Sequence, residues 1–134
     1  MSKQSALLSA SSSSLLLEVV DGALIIQHWG APLQGELASV QTAIRPSIAN
    51  SSWDVPQFPG IMRESSRGFL GRPTLSGHRQ GKAWSTKFEV TDFHHNLNQA
   101  TITLRDLHAE LQIVLSFALD QFGVLTQNAS IKNL

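Results

Sequence analysis

The chain has 134 residues, 42% of them hydrophobic and 15% charged, and its ten Lys and Arg balance its ten Asp and Glu. This length suits one globular domain that buries its own core, and zero net charge removes the electrostatic footprint expected of a nucleic-acid binder. The absence of cysteine excludes a disulfide framework and a thiolate metal site.

The N-terminal sequence does not have the pattern of a targeting or membrane segment. Two leucine clusters flank the serine run Ser11–Ser14, whereas a secretory signal needs a continuous apolar stretch of about 7–15 residues. No segment approaches the ~20 apolar residues of a transmembrane helix. We therefore expect a soluble, unprocessed, cytoplasmic protein that binds neither nucleic acid nor membranes, with a flexible segment over residues 1–13.

The first predicted strands form a hairpin. Ser14–Val20 is a short apolar block, Asp21-Gly22 is a strong signal for a two-residue hairpin turn, and Ala23–Trp29 returns as the partner strand. The sequence then predicts a turn over residues 30–35, followed over 37–44 by a short strand or an irregular segment.

A long connection rich in Pro and Gly extends over about residues 49–82. Connections of this length inside a compact domain are usually functional loops or disordered segments. This one contains Trp53, Phe69 and several arginines, whereas disordered segments are poor in aromatic residues. We therefore interpret it as a functional loop.

The last third of the chain has the period-two alternation of an antiparallel sheet with one buried face. Leu111, Ile113, Leu115, Phe117 and Leu119 all fall on the same face. We predict one all-β domain over residues 14–134, an antiparallel β-sandwich. Its last strands are expected at Ala83–Val90 (with Trp84, Phe88 and Val90 on one face), Ala100–Asp106, Ala109–Leu119 and Val124–Leu134, with turns at His94–Gln99 and Asp120–Gly123.

Five loop residues are candidates for ligand contact. Trp53 and Phe69 either stack on sugar rings or anchor the loop to the sandwich. Arg63, Arg67 and Arg72 either bind hydroxyl or anionic groups, pair across a subunit interface, or form local ion pairs.

Other polar residues give no catalytic or cofactor site. Glu64 and Asp54 are expected to neutralise the neighbouring arginines. The adjacent pair His94 and His95 would face opposite sides of a strand, and no set of three or four ligands has a metal-binding spacing. The glycines lack the order of a phosphate-binding loop. We therefore predict no catalytic residue, no metal and no cofactor.

Three stretches, taken in order, resemble the N-terminal β-sandwich domain of family 36 glycoside hydrolases, which are α-galactosidases. They are Gly22–Leu33 (GALIIQHWGAPL), Ser66–Gly81 (SRGFLGRPTLSGHRQG) and the alternating run Ala100–Asn133. The resemblance implies a supersandwich similar to that of galactose mutarotase, incomplete here because the chain ends within a predicted strand.

The resemblance also implies a function. In this family the two catalytic aspartates lie on a (β/α)₈ barrel, which this chain does not contain. The N-terminal sandwich supports homo-oligomer assembly, and one of its loops reaches the active-site mouth of a neighbouring subunit. The matching loop would be Arg63–Arg72, so the expected partners are the catalytic barrel, neighbouring subunits and α-galactoside sugars. Many members carry an acidic residue where this chain has Phe69, which leaves Arg67, Arg72 or Phe69 for substrate contact.

The sequence is also compatible with two other functions. The aromatic and arginine content of the loop is equally compatible with a free-standing carbohydrate-binding module, because fold does not decide function. A protein-interaction sandwich without a small ligand is the third alternative.

Overall fold

The computed structural model describes residues 4–33 and 60–134. Seven strands form two antiparallel sheets, of three strands in the order β1-β2-β3 and of four strands in the order β4-β5-β6-β7. The strands are β1 (Ser5–Ser9), β2 (Ser14–Val20), β3 (Ala23–Gly30), β4 (Glu89–His95), β5 (Gln99–Asp106), β6 (Leu111–Leu119) and β7 (Leu125–Asn133). The predicted all-β sandwich is confirmed, whereas the segment predicted over 37–44 and Trp53 lie outside the described residues.

The core lies between the two sheets. Each sheet contributes the apolar side chains of its inner face, and the connection before β4 adds Met62 and Phe88. The alternation predicted for the last strands is observed in β5 and β6, which bury every second residue. It is not observed in β7, where every residue after Leu125 is exposed because β7 is the edge strand of its sheet and the described residues cover neither of its faces. The largest fully buried side chains include Leu8, Leu15, Leu17, Ile102, Leu104, Ile113 and Phe117.

The β2–β3 hairpin forms as the sequence predicted. Asp21 and Gly22 both have positive φ, 49° and 77°, which is the conformation of a two-residue type I′ turn. The turn also contacts the other sheet, because the Val90 N–H donates to the Gly22 carbonyl over 2.9 Å. A local sequence signal therefore places the tip of one sheet against the first strand of the other.

The N-terminal segment differs from the prediction. Residues 1–13 were expected to be flexible, but Ser5–Ser9 forms β1 and pairs along its whole length with β2. Leu8 has no exposed surface. The serine run that follows β1 suggested a flexible segment, but its hydroxyls take part in tertiary hydrogen bonds.

These hydrogen bonds join the β1–β2 connection to the β6–β7 turn. Three successive hydroxyl groups, those of Ser11, Ser12 and Ser13, donate to the carbonyls of Gln121, Phe122 and Gly123 over 2.9, 2.8 and 3.1 Å. The serine hydroxyls thus supply hydrogen-bond donors to the carbonyl groups of a turn that lies outside the strands. They also join the two sheets at this end of the sandwich.

The segment before β4 also differs from the prediction. A strand was expected over Ala83–Val90, but β4 begins at Glu89. Trp84 is 70% exposed while Phe88 is buried, so the two do not share a strand face. The reason is that side chains, and not a neighbouring strand, bind the backbone before β4. The described part of the chain has no helix long and apolar enough to cross a membrane.

Gly123 provides a test of the serine contacts. Its φ is +85°, and an added Cβ would lie 2.7 Å from Ser13 Oγ and closer still to Ser12 Oγ. We expect Gly123→Ala to lower the free energy of unfolding by about 1–3 kcal/mol through backbone strain and lost contacts. Urea denaturation would measure the change.

Gly77→Ala is the matched control, because its added Cβ would meet no atom within 4 Å. We expect this substitution to change the free energy of unfolding by less than about 1 kcal/mol. Equal effects of the two substitutions would show that the serine contacts do not constrain the β6–β7 turn.

Candidate functional site

The base of the predicted functional loop is held by a buried ion pair. Glu64 is 2% exposed, and its carboxylate accepts hydrogen bonds from the Arg67 Nε–H over 3.0 Å and the Phe88 N–H over 2.8 Å. The expected pairing of Glu64 with a neighbouring arginine is therefore observed. Asp54, its suggested companion, lies outside the described residues.

Arg67 extends this contact to both sheets. Its two terminal nitrogens donate to the Asp21 carbonyl over 3.0 Å and to the Phe88 carbonyl over 2.8 Å. One guanidinium group thus joins the β2–β3 turn, the loop and the segment before β4. We call this contact set, made of Glu64 and Arg67 with Asp21 and Phe88, the arginine clamp.

A short 3₁₀ helix brings the two charged residues of the clamp together. It covers Ser65–Arg67 and ends at Gly68, whose φ of 83° is left-handed, and the Gly68 N–H donates to the Ser65 carbonyl. Because three residues make one turn of such a helix, Glu64 and Arg67 face the same side. One of the glycines of this segment, Gly68, is therefore needed to end the helical turn.

The same region explains why residues 86–88 are not a strand. Their backbone groups bind side chains: Ser66 Oγ donates to the Thr86 carbonyl, the Lys87 N–H donates to Asp106 Oδ2 over 2.8 Å, and the Phe88 groups bind the clamp. Asp106 is also buried and accepts from the amides of the β5–β6 turn. Buried backbone groups need partners, and here two carboxylates and an arginine supply them.

The tip of the loop carries a contact between an arginine and an aromatic ring. The Arg63 guanidinium carbon lies 5.6 Å from the centre of the Phe69 ring, a cation–π distance. Gly71 is required beneath this ring, because an added Cβ would lie 2.7 Å from Phe69 Cζ. Arg72 is exposed next to it.

The structure therefore divides the five predicted site residues. Arg63 and Phe69 are in contact, Arg72 is nearby on the surface, Arg67 is committed to the clamp, and Trp53 lies outside the described residues. Leu70 is 82% exposed at the same tip and was missed, because an isolated leucine in a sequence gives no sign of exposure. In the described ranges no group of three or more His, Asp or Glu residues could hold a metal ion.

Burial raises the pKa of Glu64 above its ordinary value of 4.5, although the Phe88 N–H and Arg67 act in the opposite direction. Because this pKa is raised, the native chain releases the proton at a higher pH than the unfolded chain does, so the contribution of Glu64 to stability is fully present below pH 4.5. It is lost as the pH rises through the native pKa.

We therefore expect the difference in free energy of unfolding between the wild type and Glu64→Gln to fall as the pH rises from about 4 to about 7. Urea denaturation at several pH values would measure it. Because other titrating groups are common to both proteins, they cancel in the difference. A difference that grows with pH would contradict the raised pKa.

The clamp also predicts unequal effects for two arginines of the loop. Arg67→Met leaves buried Glu64 without its ion-pair partner and two carbonyls without donors, so we expect a loss of about 3 kcal/mol in free energy of unfolding. Arg72→Ala, at an exposed position, should change it by less than about 0.5 kcal/mol. Equal losses in chemical denaturation would contradict the clamp.

Comparison with known proteins agrees with this architecture. A family model described as the glycosyl hydrolase family 36 N-terminal domain matches residues 22–134. An alpha-galactosidase of Escherichia coli is 28% identical to the chain over 127 residues, which cover 95% of this chain and 18% of that protein. The chain therefore spans about 18% of the length of the curated relative it matches. Since the family model covers residues 22–134, which is most of the chain, the chain belongs to the N-terminal domain family of glycosyl hydrolase family 36.

Proposed function

We propose that this chain is the non-catalytic N-terminal sandwich region of an α-galactosidase that hydrolyses terminal α-linked galactose with retention. In this proposal the chain supports oligomer assembly in the cytoplasm, and its loop shapes the active-site entrance of a neighbouring subunit. The family match and the similarity to an alpha-galactosidase support the enzymatic context. The carboxylates of the reaction would come from a barrel outside this chain.

The observation that carries the proposal is the division of the loop into a fixed base and an exposed tip. The clamp ties the base to the β2–β3 turn and to the segment before β4 through Arg67, while Arg63 and Leu70 are exposed and half-buried Phe69 contacts Arg63. Binding groups on a rigidly supported loop lose less entropy when they contact a partner. A loop built in this way suits contact with a partner surface or its ligand.

The chemistry of the tip suits the rim of a sugar site better than its catalytic centre. Arg63 offers donors to hydroxyl groups, and Phe69 offers an apolar face to a sugar ring. The nearest carboxylate in sequence, Glu64, is buried and accepts hydrogen bonds from Arg67 and Phe88. Contact with substrate would therefore use Arg63, Phe69 or Arg72, because Glu64, the one carboxylate among the described loop residues 60–82, is already bound in the clamp.

An edge strand supports the proposed role in assembly. β7 ends the four-stranded sheet, and each residue from Thr126 to Asn133 is exposed. The strand contains no proline and one lysine, Lys132, so it has few of the features that block edge pairing. Such an edge is suited to cover by another part of the parent enzyme or by a second subunit.

A chimeric enzyme would test the proposal. The 127-residue region of the E. coli alpha-galactosidase that matches this chain would be replaced by the chain itself, and hydrolysis of p-nitrophenyl α-D-galactopyranoside would be measured. We expect an active oligomer. The double substitution Arg63→Ala and Phe69→Ala in the chimera should raise KM by about tenfold, equivalent to about 1.4 kcal/mol, while sedimentation shows the same oligomer.

Arg105→Ala is the matched control, because Arg105 is an exposed arginine on β5, outside the loop. We expect its KM to stay within about twofold of the parent chimera. Equal kinetic constants in the loop variant and in this control would contradict contact between the loop and the substrate. A chimera that is active only as a monomer would contradict the role in assembly.

The alternative is a free-standing carbohydrate-binding module that uses the same loop. The contact of Arg63 with Phe69 at an exposed tip favours it as a second candidate. This alternative predicts that the isolated chain binds melibiose or raffinose and loses the binding in Phe69→Ala. The enzymatic proposal expects no binding at the loop without the neighbouring active site.

A further inference from the structure

A cavity of about 300 Å³ lies on the far side of the sandwich from the serine contacts, between the loop segment 75–86 and the end of the four-stranded sheet. Leu75, His78 and Ala83 line it from the loop, and Ala109, Leu111 and Asn133 line it from the sheet. Its volume falls at the lower end of the range for small-molecule sites. Arg63, Phe69 and Arg72 are not among the residues that line the cavity, so the cavity is separate from the loop tip.

Arg79 builds the cavity and fixes its shape. The guanidinium donates to the Ala109 carbonyl over 3.1 and 3.2 Å and to Asn133 Oδ1, and it pairs with Glu110 at 3.3 Å. These bonds join the loop to the β5–β6 turn and to the end of β7. Because Glu110 balances the charge of Arg79, the wall of the cavity carries no unpaired cation.

A tight turn holds the loop above the cavity. Arg79 and Lys82 form a two-way backbone bridge of 2.8 and 2.9 Å. The two residues between them, Gln80 and Gly81, both have positive φ, which is the geometry of a type I′ turn. These backbone hydrogen bonds fix the conformation of residues 79–82 beside the cavity.

Trp84 lies beside the cavity, since it follows the lining residue Ala83 in the chain and its ring contacts that of the lining residue His78. It is 70% exposed, yet its Nε1–H donates to the Gly81 carbonyl over 2.9 Å, and its ring lies 4.9 Å from that of His78. A large aromatic ring is thus held in place while its outer face is open to solvent. The Gly81 N–H donates to His78 Nδ1 over 3.1 Å, which leaves Nε2 of the neutral ring as a donor.

The wall combines apolar surface with neutral hydrogen-bonding groups. Leu75, Ala83 and Leu111 form the apolar part, and Ser76, Thr86 and Asn133 supply hydroxyl and amide groups. A charged ligand would find no opposite charge free to pair with it, and a purely apolar ligand would leave the polar groups unsatisfied. The matching ligand is neutral, has several hydroxyl groups and has one apolar face.

We propose that this cavity binds the pyranose ring of a neutral sugar, with Trp84 as the stacking surface beside it. The C–H face of a pyranose is apolar and fits an aromatic ring, while its hydroxyl groups match the amide, hydroxyl and imidazole groups of the wall. The inference goes beyond the proposed enzymatic role, since it needs neither a neighbouring subunit nor the loop tip.

Nuclear magnetic resonance of the full 134-residue chain would test the proposal, with methyl α-D-galactopyranoside and methyl β-D-glucopyranoside as probes. We expect saturable shifts of the Trp84 indole N–H resonance with at least one probe at concentrations up to about 50 mM, since a single-ring ligand in a small site binds weakly. The resonance is assigned by its absence in Trp84→Ala. No saturable shift with either probe would overturn the proposal.

Two variants make the test specific, and because they lack the Trp84 indole, binding to every variant is followed by saturation-transfer difference on the resonances of the sugar itself. Trp84→Ala should weaken binding about tenfold or more, and Trp84→Phe, which keeps an aromatic face, should stay within a few-fold of the wild type. Trp29→Ala is the matched control, because Trp29 is 61% exposed on β3, in the three-stranded sheet, whereas the cavity is lined by the loop and the four-stranded sheet. Equal weakening by Trp84→Ala and Trp29→Ala would overturn the assignment.

A third variant separates this site from the loop tip. Binding that is lost in Phe69→Ala and retained in Trp84→Ala would overturn the cavity site and would support the loop as a sugar-binding surface. Binding lost in Trp84→Ala and retained in Phe69→Ala supports the cavity. Neither result depends on the kinetics of the chimeric enzyme, so the two proposals can fail independently.

Discussion

The structure depends on one half-buried guanidinium group, that of Arg67. Arg67 pairs with Glu64 and donates to the carbonyls of Asp21 and Phe88, so a single side chain connects a hairpin of one sheet, the long loop and the entry into the other sheet. An arginine suits this position because its planar donors point in several fixed directions at once. Burying the pair has a desolvation cost, which the hydrogen bonds to backbone groups offset. Without these bonds the segment before β4 would bury carbonyl and amide groups that no strand satisfies.

A second arginine makes the same kind of contact at the other end of the loop. Arg79 donates to the carbonyl of Ala109 and pairs with Glu110, much as Arg67 donates to the carbonyl of Phe88 and pairs with Glu64. Both arginines attach an irregular segment to a sheet by binding carbonyls and a carboxylate together. Both arginines therefore hold the described part of the loop, Arg67 near the tip that carries Arg63 and Arg79 beside the cavity.

The sequence identified the loop but not the use of each residue in it. Arginine and aromatic content predicts a binding surface, and Arg63 with Phe69 forms an exposed contact of that kind. Arg67 is an arginine of the same loop and was predicted to bind a ligand on the same grounds, but its donors bind backbone groups of this chain. The difference arises because Arg67 follows Glu64 by one turn of a 3₁₀ helix, and because a hairpin from distant sequence brings a carbonyl to it. Neither fact can be read from residue types alone, and Trp53 lies outside the described residues.

Local signals in the sequence determined the β2–β3 hairpin and the buried faces of β5 and β6, because a two-residue turn and a period-two alternation depend on neighbouring residues only. The tertiary structure decided the places where the predictions were wrong, among them β7, which is exposed at the edge of its sheet and does not alternate in burial. Ser5–Ser9 is a strand because β2 offers it a pairing edge, and the connection that follows is held by carbonyls more than a hundred residues away. The strand expected at Ala83–Val90 begins only at Glu89, because side chains from the loop and from β5 occupy the backbone groups that a neighbouring strand would otherwise bind.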